Sequence, residues 1–366
     1  MKKSLIIAFC FFALSFYCKG QKVTFSPIVK SSEDASVQAI ALLWEDYIKQ
    51  LWKDFVSTMQ GNHPSDSIQK TFWYNNSEDL LKGKPPTNFY QAGNLLTFNI
   101  RKYSDTIYEI YSLQQMPDNE TVDILFSYKV CAIKTEGGFK LINYFDVIKH
   151  TLQNYSSEYV KYYYPCGYNF DINKVLADEK FIKQFQSDYN LKKIDKKIVY
   201  IIGNNFKESN SFIGYDFMIG TDENKYAAIC LFPATIITQR QNHFHEFVHI
   251  LLGIEYPDML DILNEGIATY YGGTSGLDYV TLRNTFKNNI TENPIDFSEL
   301  SSFYPHLKFN EFTQSYYIVG AVIIEYALKH YGKDKVIELF SCKEYQEIYT
   351  KLGITPLYLV DFLLND

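Results

Sequence analysis

The sequence predicts an α+β protein built from two different parts. In the N-terminal part, one long amphipathic helix precedes a run of strand-like segments, whereas helices dominate the C-terminal part around a few short strands. Hydrophobic residues make up 46% and charged residues 21%, which is typical of an ordered globular chain. A length of 366 residues is enough for two domains. We expect residues 1–20 to be a signal peptide, 21–155 to form the first domain and 156–366 the second.

Residues 1–20 have the pattern of a cleaved signal peptide. A basic start at Lys2 precedes an apolar run that is too short to span a bilayer, and the small residues Cys18 and Gly20 precede a suitable cleavage point. Bulky residues before Cys18 make it a poor site for a lipid anchor. We therefore expect a secreted or periplasmic protein that is cut after Gly20. No later stretch is long and apolar enough to cross a membrane, so we expect no transmembrane segment in the mature chain.

The charge of the chain argues against one class of partner. The formal net charge is −7, and the lysines and arginines form no stripe, so nucleic acid is not an expected partner. Past the signal peptide, an even number of cysteines permits two disulfides, but their wide spacing resembles no small disulfide scaffold, and which cysteines pair stays open. These cysteines are Cys131, Cys166, Cys230 and Cys342. The oligomeric state stays open.

The N-terminal part begins with a helix and continues as strands. Apolar residues recur at helical spacing between Ala35 and Met59, which predicts one long amphipathic helix. A turn signal at 134–138 separates two of the strand-like runs that follow. The predicted strands are 95–100, 106–113, 122–133 and 139–144. This element order is similar in outline to the NTF2-like and cystatin-like folds, and it assigns no role to the domain.

The C-terminal part alternates between helical and strand-like segments. Residues 154–168 are rich in tyrosine and contain Pro165-Cys166-Gly167, which indicates a linker or a crossing segment. Beyond it we expect helices at 172–189, 234–252 and 260–271, and strands at 197–203 and 225–231. The helix at 234–252 stops at Gly253 and carries the most informative motif of the chain.

His245-Glu246-Phe247-Val248-His249 reads H-E-x-x-H. Two histidines at positions i and i+4 stand one above the other on a helix, so both imidazoles can bind one zinc ion. Glu246 lies beside them and can reach a water on the metal. A third ligand is needed, and Glu265 on the next predicted helix is the candidate. We expect one zinc per chain, held by His245, His249 and Glu265.

Three stretches together resemble the gluzincin metallopeptidases, which have a thermolysin-like catalytic fold. The first is the H-E-x-x-H motif. Residues 264–270 read N-E-G-I-A-T-Y and resemble the N-E-G-x-A-[ST]-Y signature of M1-type aminopeptidases. Residues 317–321 read Y-I-V-G-A and are similar to the Y-x-x-G-A run that carries the family's transition-state tyrosine. The resemblance covers roughly residues 170–366 and implies a mostly helical zinc peptidase domain with a small sheet.

The chain also departs from that family. Fifteen residues separate His249 from Glu265, somewhat fewer than in M1-type enzymes. The G-x-M-E-N exopeptidase motif is missing, and residues 218–224 only echo it. Aminopeptidase specificity is therefore not carried over, and both endo- and exopeptidase modes stay open. The match is better to compact, peptidase MA-like proteins.

The resemblance implies roles for residues beyond the metal ligands. Glu246 is the expected general base, and Tyr317 is the expected donor to the developing oxyanion. Tyr316 is the neighbouring alternative, and Tyr304 or His306 are further ones. One helical turn after Glu265, Thr269 is a candidate to hydrogen-bond a metal ligand. His243 precedes the motif by two residues, so on a helix it would point away from the metal.

These observations predict an exported zinc metallopeptidase that acts on a peptide or protein substrate. The alternative is an exported peptide- or partner-binding protein whose gluzincin domain is degenerate and weakly active. The intact ligand set and the intact Glu246 favour the enzyme. Neither reading identifies the physiological substrate.

Overall fold

A computed structural model describes residues 23–59, 71–74, 94–118, 121–218, 228–231, 234–292, 297–298 and 315–365. The predicted signal peptide at residues 1–20 lies outside these ranges, as do Tyr304 and His306. The described residues combine helices with two separate sheets, so the α+β class predicted from the sequence is confirmed.

Contacts divide the chain into two compact units. The first unit draws on Met1–Leu152 and on a later stretch, Lys207–Glu223. The second unit draws on Gln153–Phe206 and Asn224–Asp366. The first unit is therefore built from two separated pieces of sequence.

The first unit contains a six-stranded sheet. Its strands are β1 (Val23–Phe25), β2 (Asn94–Lys102), β3 (Ile107–Asp118), β4 (Thr121–Thr135), β5 (Gly138–Ile142) and β9 (Tyr215–Met218). The order is β1-β2-β3-β4-β5, with β9 also paired to β4. Among these described strands, β1 and β2 pair in parallel and the other pairs are antiparallel. The pairing of β9 with β4 explains why the later stretch belongs to this unit.

The long helix of the first unit packs on its sheet. The helices here are α1 (Pro27–Lys30), α2 (Ala35–Met59), α3 (Tyr144–Ile148) and α5 (Phe206–Phe212). On α2, the Trp44 indole donates to the Thr97 hydroxyl at 3.0 Å and lies edge-on to Tyr128. The predicted helix at 35–59 is confirmed, and its buried tryptophan attaches it to β2 and β4.

The second unit contains a five-stranded sheet. Its strands are, in spatial order, β10 (Ala228–Leu231), β11 (Thr235–Thr238), β8 (Ile198–Ile202), β7 (Val160–Tyr164) and β6 (Gln153–Ser156). The three inner strands are parallel, and each outer strand runs antiparallel to its neighbour. The inner strands are almost continuously apolar and buried, as expected for parallel strands that are covered on both faces.

In the described part of the second unit, helices contain far more residues than strands. The helices are α4 (Ile172–Asp188), α6 (Phe244–Gly253), α7 (Asp261–Gly272), α8 (Tyr279–Glu292), α9 (Ser315–Tyr331), α10 (Lys333–Leu339), α11 (Tyr345–Leu352) and α12 (Pro356–Asn365). α6 lies in the core, where Phe247, Val248 and Ile250 have no exposed surface. α7 ends where Gly273 takes a φ of 67°, a left-handed conformation that favours glycine.

Two predicted elements are wrong. Residues 154–168 are not a linker, because most of β6 and all of β7 lie within them and join the sheet. The motif helix does not begin at residue 234, because Thr235–Thr238 forms β11 and the helix begins at Phe244. The segment Thr-Ile-Ile-Thr is β-branched throughout, and it pairs with β8 and β10 instead of joining the predicted helix.

Two further expectations concern membranes and cysteines. No helix in the described ranges is long and apolar enough to cross a membrane. The two disulfides that the sequence permits are not formed. The free thiols are Cys131, Cys166, Cys230 and Cys342.

Candidate metal centre

His245 and His249 lie one helical turn apart on the same face of α6. Their ring centroids are 4.7 Å apart, and both side chains are buried. The spacing of four residues produces this arrangement only because the segment is helical from Phe244 onward. The helix thus presents two imidazoles to one point.

Glu265 reaches that same point from α7. Its Oε2 lies 3.1 Å from Nε2 of His245 and 3.4 Å from Nε2 of His249. The ligand atoms of the three side chains lie within 4.8 Å of one another. Among the described residues, these three groups form a cluster that could hold a metal ion. The residues proposed as ligands from the sequence are brought together.

The other nitrogen of each imidazole is also engaged. Nδ1 of His245 lies 2.8 Å from the carbonyl oxygen of Gly273, and Nδ1 of His249 lies 3.0 Å from Oδ1 of Asn264. Both partner oxygens are acceptors, so each Nδ1 carries the hydrogen and donates it. In neutral imidazoles, both Nε2 lone pairs then point at the Glu265 carboxylate. Either a hydrogen on Nε2 or a metal ion between the groups allows these nitrogens to face the carboxylate at such distances.

The pKa values of the cluster follow from the same geometry. Burial lowers the pKa of His249, but the hydrogen bond and charge of Glu265 outweigh burial and raise it to about 9. Burial raises the pKa of Glu265, but hydrogen bonds from His245 and His249 outweigh it and lower the pKa to about 2. The carboxylate is therefore ionised at neutral pH, as a metal ligand must be.

Glu246 lies in the first turn of α6 and is buried. The partial positive charge at a helix N-terminus stabilises a carboxylate in this position. Its Oε1 lies 3.9 Å from Nδ1 of His243. Glu246 neighbours His245 in sequence and is absent from the cluster formed by His245, His249 and Glu265.

We expected His243 to point away from the metal, and His243 is absent from the cluster of possible ligands. That expectation nevertheless rested on the wrong local geometry. It assumed that His243 is helical, whereas His243 is the residue before α6 and has φ −89° and ψ 71°. Its ring lies 6.4 Å from that of His245 and beside Glu246. Burial, Arg240 and the two other imidazoles hold the pKa of His243 well below its usual range.

Tyr317, on the first turn of α9, faces the same cluster. Its ring centroid is 6.2 Å from that of His245, and its side chain is half-buried. Tyr316 is buried, and its ring stacks on Tyr317 at 4.5 Å. Tyr317 is thus the tyrosine whose ring adjoins a proposed ligand, and Tyr316 supports it from behind.

Thr269 does not hydrogen-bond a proposed metal ligand. Its buried hydroxyl has no hydrogen-bond partner among the described residues, although it lies one turn after Glu265. Asn264 and Gly273 take the role expected of Thr269. Sequence reasoning missed both. The Asn before Glu265 and the glycine pair that ends α7 were visible signals, but nothing in them identified an imidazole as the partner.

A scan of protein-family models finds no match to this chain, and a search of curated proteins finds none either.

Proposed function

We propose that this protein is an exported zinc metallopeptidase that hydrolyses peptide bonds. One observation carries the proposal: two imidazoles and a carboxylate converge in a buried cluster, and each imidazole is oriented by a hydrogen bond at its other nitrogen. Structural ion pairs do not need this arrangement, whereas metal-binding histidines almost always have it. The hydrogen bonds to Gly273 and Asn264 therefore support metal binding independently of the spacing of the H-E-x-x-H motif.

The donor set fits zinc. Two imidazoles and one carboxylate form the His2Glu set of catalytic zinc sites, which leaves a fourth position for water or substrate. Zinc, when bound, lowers the pKa of water and polarises a carbonyl group. His245, His249 and Glu265 would hold it, one ion per chain.

Glu246 is the proposed general base. It accepts a proton from the attacking water and delivers it to the leaving amine. Its position in the first turn of α6, next to His245 but outside the ligand cluster, supports this role. Burial of Glu246 also excludes bulk water from competing for its oxygens.

Tyr317 is the proposed donor to the oxyanion that forms on the scissile carbonyl. A half-buried phenol beside His245 is near the reacting groups and still open to a substrate. A donor of this kind acts mainly in the transition state, where the carbonyl oxygen carries negative charge.

An extended peptide is the proposed substrate. In the described part of the sheet, β10 is an edge strand that pairs only with β11, and it packs near α6. An edge strand offers unpaired backbone groups to which a peptide can add as a further strand. A peptide bound there would pass close to the helix that carries His245 and His249.

The second unit is proposed to be a thermolysin-like catalytic domain. The first unit, a helix on a largely antiparallel sheet, is proposed to be NTF2-like or cystatin-like in outline. No role in catalysis is assigned to it.

The test uses the full chain with a mixed library of fluorogenic peptides. We expect the zinc-loaded protein to cleave peptides, a chelator to abolish cleavage, and added zinc to restore it. Glu246→Gln should bind zinc but not cleave, because the amide cannot accept the proton. His150→Gln, an exposed histidine in the first unit, is the control. Zinc binding without cleavage of any peptide would contradict the peptidase and favour a binding protein.

A further inference from the structure

The turn before α6 is anchored by a buried carboxylate. Asn242 takes a φ of 60°, a left-handed conformation that asparagine tolerates better than most residues. Its Nδ2 donates to Oδ1 of Asp178 and to the carbonyl of Lys174, both at 2.7 Å. Asp178 has no exposed surface and also accepts from the Tyr162 hydroxyl at 2.8 Å. The conformation at Asn242 is therefore fixed by α4 and β7.

This turn determines the direction of the next residue, His243. Because the chain leaves a left-handed residue and enters α6 one residue later, His243 does not follow the helical repeat. Its backbone N–H donates to the Tyr200 hydroxyl at 3.2 Å. The side chain is held beside Glu246, which is three residues further on and inside the helix.

The ring nitrogen that faces Glu246 is buried and has no hydrogen-bond partner in the described residues. This atom, Nδ1 of His243, lies 3.9 Å from Oε1 of Glu246. A buried polar atom without a partner is uncommon in folded proteins and requires an explanation. A carboxylate can only accept hydrogen bonds, so a bond between these groups requires a hydrogen on Nδ1.

We propose that His243 is a positioning residue for Glu246, donating from Nδ1 to Oε1 so that the second carboxylate oxygen faces the attacking water. The inference rests on the proposed role of Glu246 as general base. The distance of 3.9 Å is longer than a hydrogen bond. Hydrogen bonds between catalytic groups are often long in the free enzyme and shorten in the complex with substrate.

Activity measurements separate positioning from packing. His243→Phe keeps a ring of similar size and removes the donor, so we expect kcat to fall about 10- to 100-fold with KM and zinc content unchanged. His243→Gln supplies an amide donor and should recover part of the loss. His150→Gln should match the wild type. A loss of kcat equal in both His243 variants, or a change in KM alone, would overturn the proposal.

A second measurement tests the contact without any turnover. Nitrogen NMR of histidine-labelled, zinc-loaded full-length protein reports which ring nitrogen carries the hydrogen, and the His243→Gln variant assigns the signal. We expect hydrogen on Nδ1 of His243 and a changed signal in Glu246→Ala. Hydrogen only on Nε2, or no response to Glu246→Ala, would overturn the proposal even if peptides are cleaved. The predicted signal in a protein that cleaves nothing would instead contradict the peptidase.

Discussion

Gly266 on α7 and Gly320 on α9 lie backbone against backbone. A β-carbon on Gly266 would lie 2.3 Å from the carbonyl carbon of Gly320, and one on Gly320 would lie 2.0 Å from the carbonyl oxygen of Ile262. Gly266 directly follows Glu265, and Gly320 comes one helical turn after Tyr317. The crossing of the two helices therefore sets the spacing between the proposed metal ligand Glu265 and Tyr317.

Replacing Gly320 by alanine should separate these helices. The added methyl meets backbone, which cannot rotate away, so we expect the free energy of unfolding to fall by about 1–3 kcal/mol. Urea denaturation measures this. Gly137→Ala is the control, because a β-carbon there has nothing within 4 Å. Equal stabilities of the two variants would show that the close approach is not a constraint.

Asn264→Ala should weaken metal binding without removing a ligand. Loss of the hydrogen bond at Nδ1 frees the His249 ring to rotate, and such losses typically reduce metal affinity about 10- to 100-fold. Competition with a chromophoric chelator measures the zinc dissociation constant. Asn284→Ala makes the same change at an exposed position of α8 and should leave the constant unchanged. An unchanged zinc dissociation constant in Asn264→Ala would show that the hydrogen bond with Asn264 does not support metal binding by His249.

Tyr317→Phe should reduce kcat about 10²- to 10³-fold with little change in KM, because the phenol bond forms mainly in the transition state. Tyr316→Phe should be nearly silent, since that ring lies buried behind Tyr317. Steady-state kinetics on one cleaved peptide compare the pair. The reverse pattern, with the large loss in Tyr316→Phe, would assign the donor to Tyr316. If neither variant changes kcat, another residue is the donor, for example Tyr304 or His306.

Asp178 should make stability depend on pH. Burial raises its pKa to about 7, against hydrogen bonds from Asn242 and Tyr162 that lower it. The folded state therefore binds a proton more tightly than the unfolded state, whose ordinary value is 3.8. The stability that the folded state gains from this tighter proton binding is fully present below pH 3.8 and is lost as the pH rises to about 7. Within that window, each pH unit lowers the free energy of unfolding by about 1.4 kcal/mol.

Asp178→Asn resembles the protonated acid and removes the titration. We expect the variant to lose less stability than the wild type between pH 5 and pH 7, as measured by urea denaturation at each pH. Since zinc binding depends on pH in both proteins, only their difference reports on Asp178. Parallel pH profiles would show that Asp178 keeps an ordinary pKa.

The sequence was sufficient where one local rule decides the outcome. The spacing of His245 and His249 requires only a helix, and the α7 helix could be predicted from its apolar period and its terminal glycines. The approach of Glu265 to that pair was a hypothesis borrowed from a motif, because the distance between two helices is not encoded in either of them.

The sequence was insufficient where tertiary contacts override local pattern. Ile237 was placed within the predicted helix at 234–252, yet Thr235–Thr238 pairs with β8 and β10 as a strand. His243 was wrongly treated as helical, because a single left-handed residue, Asn242, breaks the helical repeat. The carbonyl of Gly273 is a backbone group, and no side-chain pattern reveals where a backbone group points.

Zinc content is the most direct test of the central claim that His245, His249 and Glu265 bind a catalytic metal. The protein is loaded with zinc, freed of excess by gel filtration and measured by elemental analysis. We predict one zinc per wild-type chain and almost none in a folded His249→Ala variant, while His150→Gln retains it. A wild-type chain that retains no zinc, or a His249→Ala chain that retains a full equivalent, would contradict this account.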